Sequence, residues 1–163
     1  MNLIGVSHVF FYVVQLLYPY IISNPTLDYI YLFVELVVYL SWTLFDGQCV
    51  VTMIYKRQTK NTPNADFKDK QINSEFKELY LKLIKSEKVG FVLFSLLNIF
   101  NIANVLIVLN RRSFKRPFIS LVGLCMLVYL YFSYKQIGWI NAAFFFIFSG
   151  LLYSVFKKWK KMK

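Results

Sequence analysis

The stretch ELVVYLSWTLFDGQC, from Glu35 to Cys49, places two carboxylates and a tryptophan inside a long apolar segment. If this segment crosses a bilayer, a carboxylate near its centre costs about 2.5–3.5 kcal/mol. Glu35 and Asp46 are therefore expected to face another helix or a water-filled cavity rather than lipid.

The composition of the whole chain is typical of a multi-span membrane protein. Of the 163 residues, 58% are hydrophobic and 20% are aromatic, whereas soluble domains are about 45–50% apolar. Because a membrane span needs about 20 apolar residues, we predict an all-α transmembrane bundle with five spans. The five apolar segments are Leu3–Ile22, Leu27–Tyr55, Val89–Leu109, Phe118–Tyr134 and Ile137–Phe156. They divide the chain into a transmembrane hairpin (1–56), a basic loop (57–88) and segments 3–5 with a basic tail (89–163).

The basic residues lie outside these segments, mainly in Lys56–Lys88, Arg111–Arg116 and Lys157–Lys163. Five spans divide the Lys and Arg residues nine against ten across the membrane, so the positive-inside rule does not choose an orientation. Alternatively, segment 3 dips into the bilayer and returns, which would put all three clusters on one face. Such clusters typically bind anionic lipid headgroups, and no basic globular domain indicates nucleic acid. A second copy of the chain or another membrane protein is a further expected partner.

The loop before segment 3 contains apolar residues at helical spacing, with Lys and Glu between them. We predict an amphipathic helix over roughly Phe67–Lys88, with Phe76, Leu79, Tyr80 and Leu83 directed to the headgroups or to the bundle. The helix would lie in the interface or pack on the bundle.

Polar residues of segment 2 recur on one helical face. Asp28, Glu35, Trp42 and Cys49 are spaced by seven, and seven residues return an α-helix to within about 20°. In segment 1, His8, Tyr12 and Gln15 also share a face. If Ser23–Thr26 joins the segments as an antiparallel hairpin, Gln15 lies level with Glu35, and His8 lies near Asp46. We therefore predict a buried polar network of His8, Gln15, Glu35 and Asp46.

An alternative ends the second helix earlier. Asp46-Gly47 is a turn signal, so segment 2 can end at Phe45, with Asp46 at a hydrated helix end and Trp42 in the interfacial aromatic belt. Glu35 then remains as the one intramembrane acid of the segment. In that case the polar stripe specifies helix packing, since polar side chains commonly join membrane helices.

Three residues of this region carry a resemblance. Trp42, Cys49 and Thr52, followed by Lys56-Arg57 and preceded by His8 in "HVFF", resemble a pattern in small uncharacterised multi-span membrane proteins of bacteria and large DNA viruses. There, the first helix begins with His and the second ends in Trp-x6-Cys-x2-Thr. Ser41 and Tyr55 depart from it, standing where His and Glu are usual. The resemblance covers about the first 60 residues and implies that Trp42, Cys49 and Thr52 hold a structural junction at the membrane face, with no activity attached.

Catalytic and cofactor motifs are not found in the sequence. There is one histidine and there are two cysteines, without metal-ligand spacing, and His8 with Asp46 is the sole candidate pair for an enzyme acting on lipid. We therefore expect no enzyme activity, metal or cofactor. The expected function is that of a multi-pass integral membrane protein with a structural or interaction role, for example in an organelle or virion membrane. The alternative is a small proton or cation channel or transporter using Glu35 and Asp46.

Overall fold

The computed structural model describes residues 3–45, 49–52, 54, 87–135 and 138–162. These ranges are helical with short turns and contain no strand, which confirms the all-α prediction. The five long helices are α1 (Leu3–Ile21), α2 (Pro25–Leu44), α3 (Glu87–Arg111), α4 (Arg116–Lys135) and α5 (Gly138–Lys160). Asp46 lies outside the described residues, as does the predicted amphipathic helix except for its last two residues, which belong to α3.

The second helix begins and ends where local signals occur in the sequence. The Oδ1 atom of Asn24 accepts hydrogen bonds from the backbone N–H groups of Thr26 and Leu27, and Pro25 follows at the first helical position. This satisfies donors that the first turn leaves unpaired. The helix ends at Leu44 with Phe45 as its cap. The alternative in which this helix ends at Phe45 is therefore confirmed.

Successive helices alternate in direction. Asp28 at the start of α2 contacts Arg111 at the end of α3, and Glu35 farther along α2 contacts Asn101, so these two helices are antiparallel. The same relation holds for α2 with α5 and for α4 with α5. The α1–α2 turn, the α3–α4 turn and the end of α5 therefore lie at one end of the bundle, which we call the basic end. Its basic residues are Arg111, Arg112, Lys115, Arg116, Lys157, Lys158, Lys160 and Lys161.

The neighbours of the first helix differ from those predicted. α1 is antiparallel to α2, as expected for a hairpin, but it packs along α3 and has little contact with α2. Leu16 and Pro19 of α1 lie level with Asn104 and Arg111 of α3. The predicted hairpin is therefore correct in chain direction and wrong in packing.

Among the described residues, three helical stretches are long and apolar enough to cross a membrane: Pro25–Leu44, Val92–Arg111 and Trp139–Lys160. The apolar stretches of α1 and α4, Gly5–Ile21 and Arg116–Phe132, are shorter. Three of the five predicted spans thus meet this criterion. Because α3 is one uninterrupted helix of 25 residues, the alternative in which segment 3 dips in and returns is wrong.

Apolar side chains cover much of the outside of the bundle, and several polar side chains are buried within its largely apolar core. Large apolar side chains are exposed on the outside of every long helix, among them Phe10, Val37, Leu96, Leu124 and Phe146. The interior contains an aromatic cluster, in which the ring of Phe148 lies 5.3 Å from that of Tyr39 and 5.4 Å from that of Tyr129. It also contains buried carboxylates and amides. These buried polar groups are the candidates for a functional site.

Candidate functional site

The polar layer is a set of hydrogen-bonded side chains between α1, α2 and α3, centred on Glu35. Glu35 is completely buried, and its Oε2 accepts a hydrogen bond of 2.8 Å from Nδ2 of Asn101. The hydroxyl of Tyr31, one turn before Glu35, donates to Oδ1 of the same asparagine at 3.4 Å. The second carboxylate oxygen, Oε1, has no hydrogen-bond partner among the described residues. Asn101 is therefore the main support of this buried acid.

One helical turn along α3, Asn104 connects the layer to α1. Its Nδ2 donates to the backbone carbonyl of Leu16 at 2.8 Å, and its Oδ1 accepts from the hydroxyl of Tyr20 at 3.0 Å. The side chain is fully buried, so both atoms of the amide are satisfied by α1. Asn101 and Asn104 thus both bond to neighbouring helices. Asn98 is also buried but donates to Phe94 of its own helix.

The predicted hydrogen bond between Gln15 and Glu35 is wrong. Gln15 is buried, yet its Nε2 has no hydrogen-bond partner in the described part of the chain. The physical reason is that α1 packs on α3 and not on α2, so the asparagines of α3 take the place predicted for Gln15. His8 is half-buried, and its predicted partner Asp46 lies outside the described residues.

A charged cluster occupies the basic end of the bundle, with Asp28 at its centre. Asp28 is completely buried in the first turn of α2. Its Oδ1 lies 2.7 Å from Nη2 of Arg111 and 2.8 Å from the donating hydroxyl of Tyr18. Its Oδ2 lies 2.8 Å from Nε of Arg112, but this N–H is not aligned for a hydrogen bond. The contact with Arg112 is therefore an ion pair without a well-directed hydrogen bond.

Arg111 connects three helices at this end. Besides Asp28, it binds the backbone carbonyl of Pro19 through Nη1 at 3.2 Å, close to the end of α1. A cation at a helix C-terminus is favourable because the last carbonyls carry partial negative charge. The same guanidinium therefore stabilises the end of α1 and the start of α2.

The ion pair is not among the sequence predictions, although the sequence contains a signal for it. Asp28 belongs to the predicted polar stripe, and the basic cluster Arg111–Arg116 is predicted to bind lipid headgroups. An acid in the first turn of segment 2 and arginines after segment 3 lie at the same end of any bundle whose helices alternate. Five alternating segments therefore already made the ion pair predictable.

The end of α5 is fixed to the α3–α4 turn. Ser113 in this turn has a left-handed backbone with φ of 54°, and its carbonyl accepts a hydrogen bond from Nζ of Lys158. The same ammonium lies 4.0 Å from the ring centre of Phe114, a cation–π distance. Beside it, the ring of Trp159 packs 5.5 Å from that of Phe33. These contacts hold three elements of the basic end together.

The residues of the Trp-x6-Cys-x2-Thr pattern are at least half-buried. Trp42 is half-buried, with its ring 5.0 Å from that of Tyr39, and Cys49 and Thr52 are buried. This burial agrees with a structural junction, while the family resemblance stays a prediction. Within the described residues, no group of three or more His, Cys, Asp or Glu side chains could hold a metal ion. Comparisons with protein-family profiles, curated proteins and solved structures give no match to the chain.

Proposed function

We propose that the protein is a multi-pass integral membrane protein whose five long helices cross the bilayer, with a structural or interaction role in that membrane. The observation that carries the proposal is the apolar exterior of the bundle, together with the polar side chains buried inside it. Glu35, Asn101 and Asn104 are buried, whereas side chains such as Phe146, 74% exposed, lie on the outside. Contiguous apolar surface around a bundle is costly in water and is the normal surface of a protein in lipid.

The five-span arrangement is supported by the alternating helix directions and by helix length. α1 and α4, whose apolar stretches are shorter, contain 19 and 20 helical residues. At 1.5 Å per residue they extend about 28–30 Å, close to the hydrocarbon thickness. In addition, α1 lies alongside α3 and α4 lies against both α3 and α5. A bilayer that contains α3 and α5 would therefore also surround α1 and α4.

A structural role is favoured by the way in which the interior polar groups are used. Asn101 bonds to Glu35 on α2, and Asn104 bonds to Leu16 and Tyr20 on α1. Interhelical hydrogen bonds of this kind join membrane helices whose association gains nothing from the hydrophobic effect. The described polar layer thus consists of side chains that join α1, α2 and α3, as expected for a structural role.

Membrane insertion and span number can be tested together. The protein should stay in the membrane pellet after alkaline carbonate extraction. Single cysteines introduced at Ser23, Ser113 and Lys161 of a Cys49→Ser/Cys125→Ser protein should all react with an impermeant maleimide from one side of sealed vesicles, and a cysteine at Gln136 from the other. A cysteine at Leu96 provides the lipid-facing control and should react from neither side. Labelling of Ser23→Cys and Ser113→Cys from opposite sides would rule out five spans.

A second candidate function, a proton or cation path using Glu35 with Asp46, is favoured by one observation. Oε1 of Glu35 is buried near the middle of α2 and has no hydrogen-bond partner in the described structure. Purified protein in liposomes loaded with a pH-sensitive or cation-sensitive dye provides the test. A flux that is present in wild type, lost in Glu35→Gln and retained in Asn98→Leu at equal thermal stability would support the path. Equal leakage of empty and protein-containing liposomes would support the structural role.

A further inference from the structure

The charged cluster at the basic end is not electrically balanced. Two guanidinium groups, those of Arg111 and Arg112, lie against the single carboxylate of Asp28. Their side chains are 20% and 15% exposed, respectively, and that of Asp28 is fully buried. Among the described residues, no other acidic side chain forms an ion pair with either arginine. One positive charge therefore remains uncompensated in a largely desolvated position.

The two arginines differ in how their donors are used. Both Nη atoms of Arg111 are occupied, one by Asp28 and one by the carbonyl of Pro19. Arg112 approaches Asp28 through Nε, and no described residue accepts a hydrogen bond from either of its Nη atoms. Arg112 thus retains the planar pair of donors that suits bidentate binding of a phosphate.

The residues that follow Arg112 add charge and an apolar surface. Lys115 and Arg116 are exposed in the same turn, and no ion pair occupies them in the described structure. Farther along α4, Leu121 and Leu124 are 50% and 60% exposed. A positively charged turn above an exposed apolar helix face suits a ligand with a phosphate at one end and hydrocarbon chains at the other.

We propose that Arg112, with Lys115 and Arg116, binds the phosphodiester of an anionic phospholipid headgroup, whose acyl chains lie along the outer face of α4. The inference rests on the proposed membrane location. The negative charge of the phosphodiester compensates the unpaired positive charge of the cluster, and the exposed Lys115 and Arg116 add attraction for the headgroup. Asp28 and Tyr18 are positioning residues, because they hold the arginines at the membrane face without contacting the lipid.

The site can be tested by titrating phosphatidylglycerol into the purified protein in neutral detergent micelles, with phosphatidylcholine and inorganic phosphate as separate arms. Lipid binding is followed by native mass spectrometry and by the melting temperature. Phosphatidylglycerol should raise the melting temperature by ~5 °C more than phosphatidylcholine does. Arg112→Gln should weaken phosphatidylglycerol binding by about tenfold or more, since it removes a charge-assisted bidentate contact.

Two matched variants test whether the weakened binding of phosphatidylglycerol is specific to the guanidinium of Arg112. Lys161→Gln removes the same charge from the exposed tail of the basic end and should change the affinity by less than about twofold, because exposed charges interact weakly. Arg112→Lys keeps the ion pair with Asp28 but lacks the planar fork, so it should melt like wild type without lipid and bind phosphatidylglycerol more weakly. This variant separates lost binding from lost folding.

Other outcomes would overturn the inference. Equal weakening by Arg112→Gln and Lys161→Gln would indicate diffuse attraction instead of a site. Competition by inorganic phosphate at equal affinity would assign the site to free phosphate and not to lipid. A protein that resists carbonate extraction but does not distinguish phosphatidylglycerol from phosphatidylcholine would refute the lipid site alone, whereas release by carbonate would refute the proposed membrane function itself.

Discussion

Replacing Asn101 by leucine should destabilise the bundle because it removes the hydrogen bond that supports Glu35. The bond is 2.8 Å long and joins two buried side chains. Leaving a buried polar group without its partner costs about 1–3 kcal/mol, and interhelical bonds in membrane proteins average about 0.6 kcal/mol with a maximum near 1.7. We therefore expect a loss of about 1–2 kcal/mol of unfolding free energy. For a chain of this size the loss corresponds to a fall of roughly 2–8 °C in the melting temperature.

The chain offers a built-in probe and a matched control for this measurement. Cys49 is buried and Cys125 is half-buried, so a thiol-reactive fluorophore should report unfolding in detergent without any introduced cysteine. Asn98 lies on the same helix and is equally buried but donates only to its own helix. Asn98→Leu should therefore lower the melting temperature less than Asn101→Leu does.

A double variant tests whether the loss of stability comes from the hydrogen bond between Glu35 and Asn101. Glu35→Gln keeps an acceptor for Asn101 and should be tolerated, whereas Glu35→Leu leaves the side-chain amide of Asn101 without its acceptor. Replacing both Glu35 and Asn101 by leucine should cost less than the sum of the two single leucine variants, since no buried polar partner is left. Equal losses for Asn98→Leu and Asn101→Leu, or strictly additive losses in the double variant, would refute the argument.

Three further predictions concern the remaining contacts, each measured by the same thermal assay unless stated. Asp28→Ala should lower the free energy of unfolding by up to about 3–5 kcal/mol, because it leaves two largely buried guanidiniums without their carboxylate. A loss smaller than that caused by a substitution on the protein surface would contradict this prediction. Gly123→Leu should destabilise the protein far more than Gly150→Leu, because even a Cβ at Gly123 would lie 3.1 Å from Leu106, whereas nothing lies within 4 Å at Gly150. Asn104→Leu should increase amide hydrogen exchange in α1 more than in α5, and uniform change across both helices would count against the role of Asn104 as the link to α1.

The residue pattern alone is sufficient to predict those structural features that depend on a single helix and its environment. Asn24 and Pro25 mark the start of α2 because capping involves atoms two and three residues apart. The burial of Glu35 follows from the cost of placing an acid against lipid. Each of these inferences uses one helix and its environment.

The partner of Glu35 could not be obtained in the same way. Counting from the turn at Ser23–Thr26 gives the depth of Gln15 and Glu35, and both are indeed buried. Depth does not decide which helices are lateral neighbours, because this depends on the simultaneous packing of all five. α3 lies beside both α1 and α2, and its amides supply the bonds that a two-helix argument assigned to Gln15.

The arrangement of polar groups between the two acids of α2 favours packing over proton transfer. Asp28 and Glu35 are seven residues apart, about 10 Å along the helix. Tyr18 donates to Asp28, and its ring stacks 4.8 Å from that of Tyr31, whose hydroxyl donates to Asn101. Asn101 then donates to Glu35 through an amide N–H. The contact between Tyr18 and Tyr31 is a ring stack and not a hydrogen bond, so the described side chains form no continuous hydrogen-bonded route from Asp28 to Glu35, whereas each of them contacts a neighbouring helix.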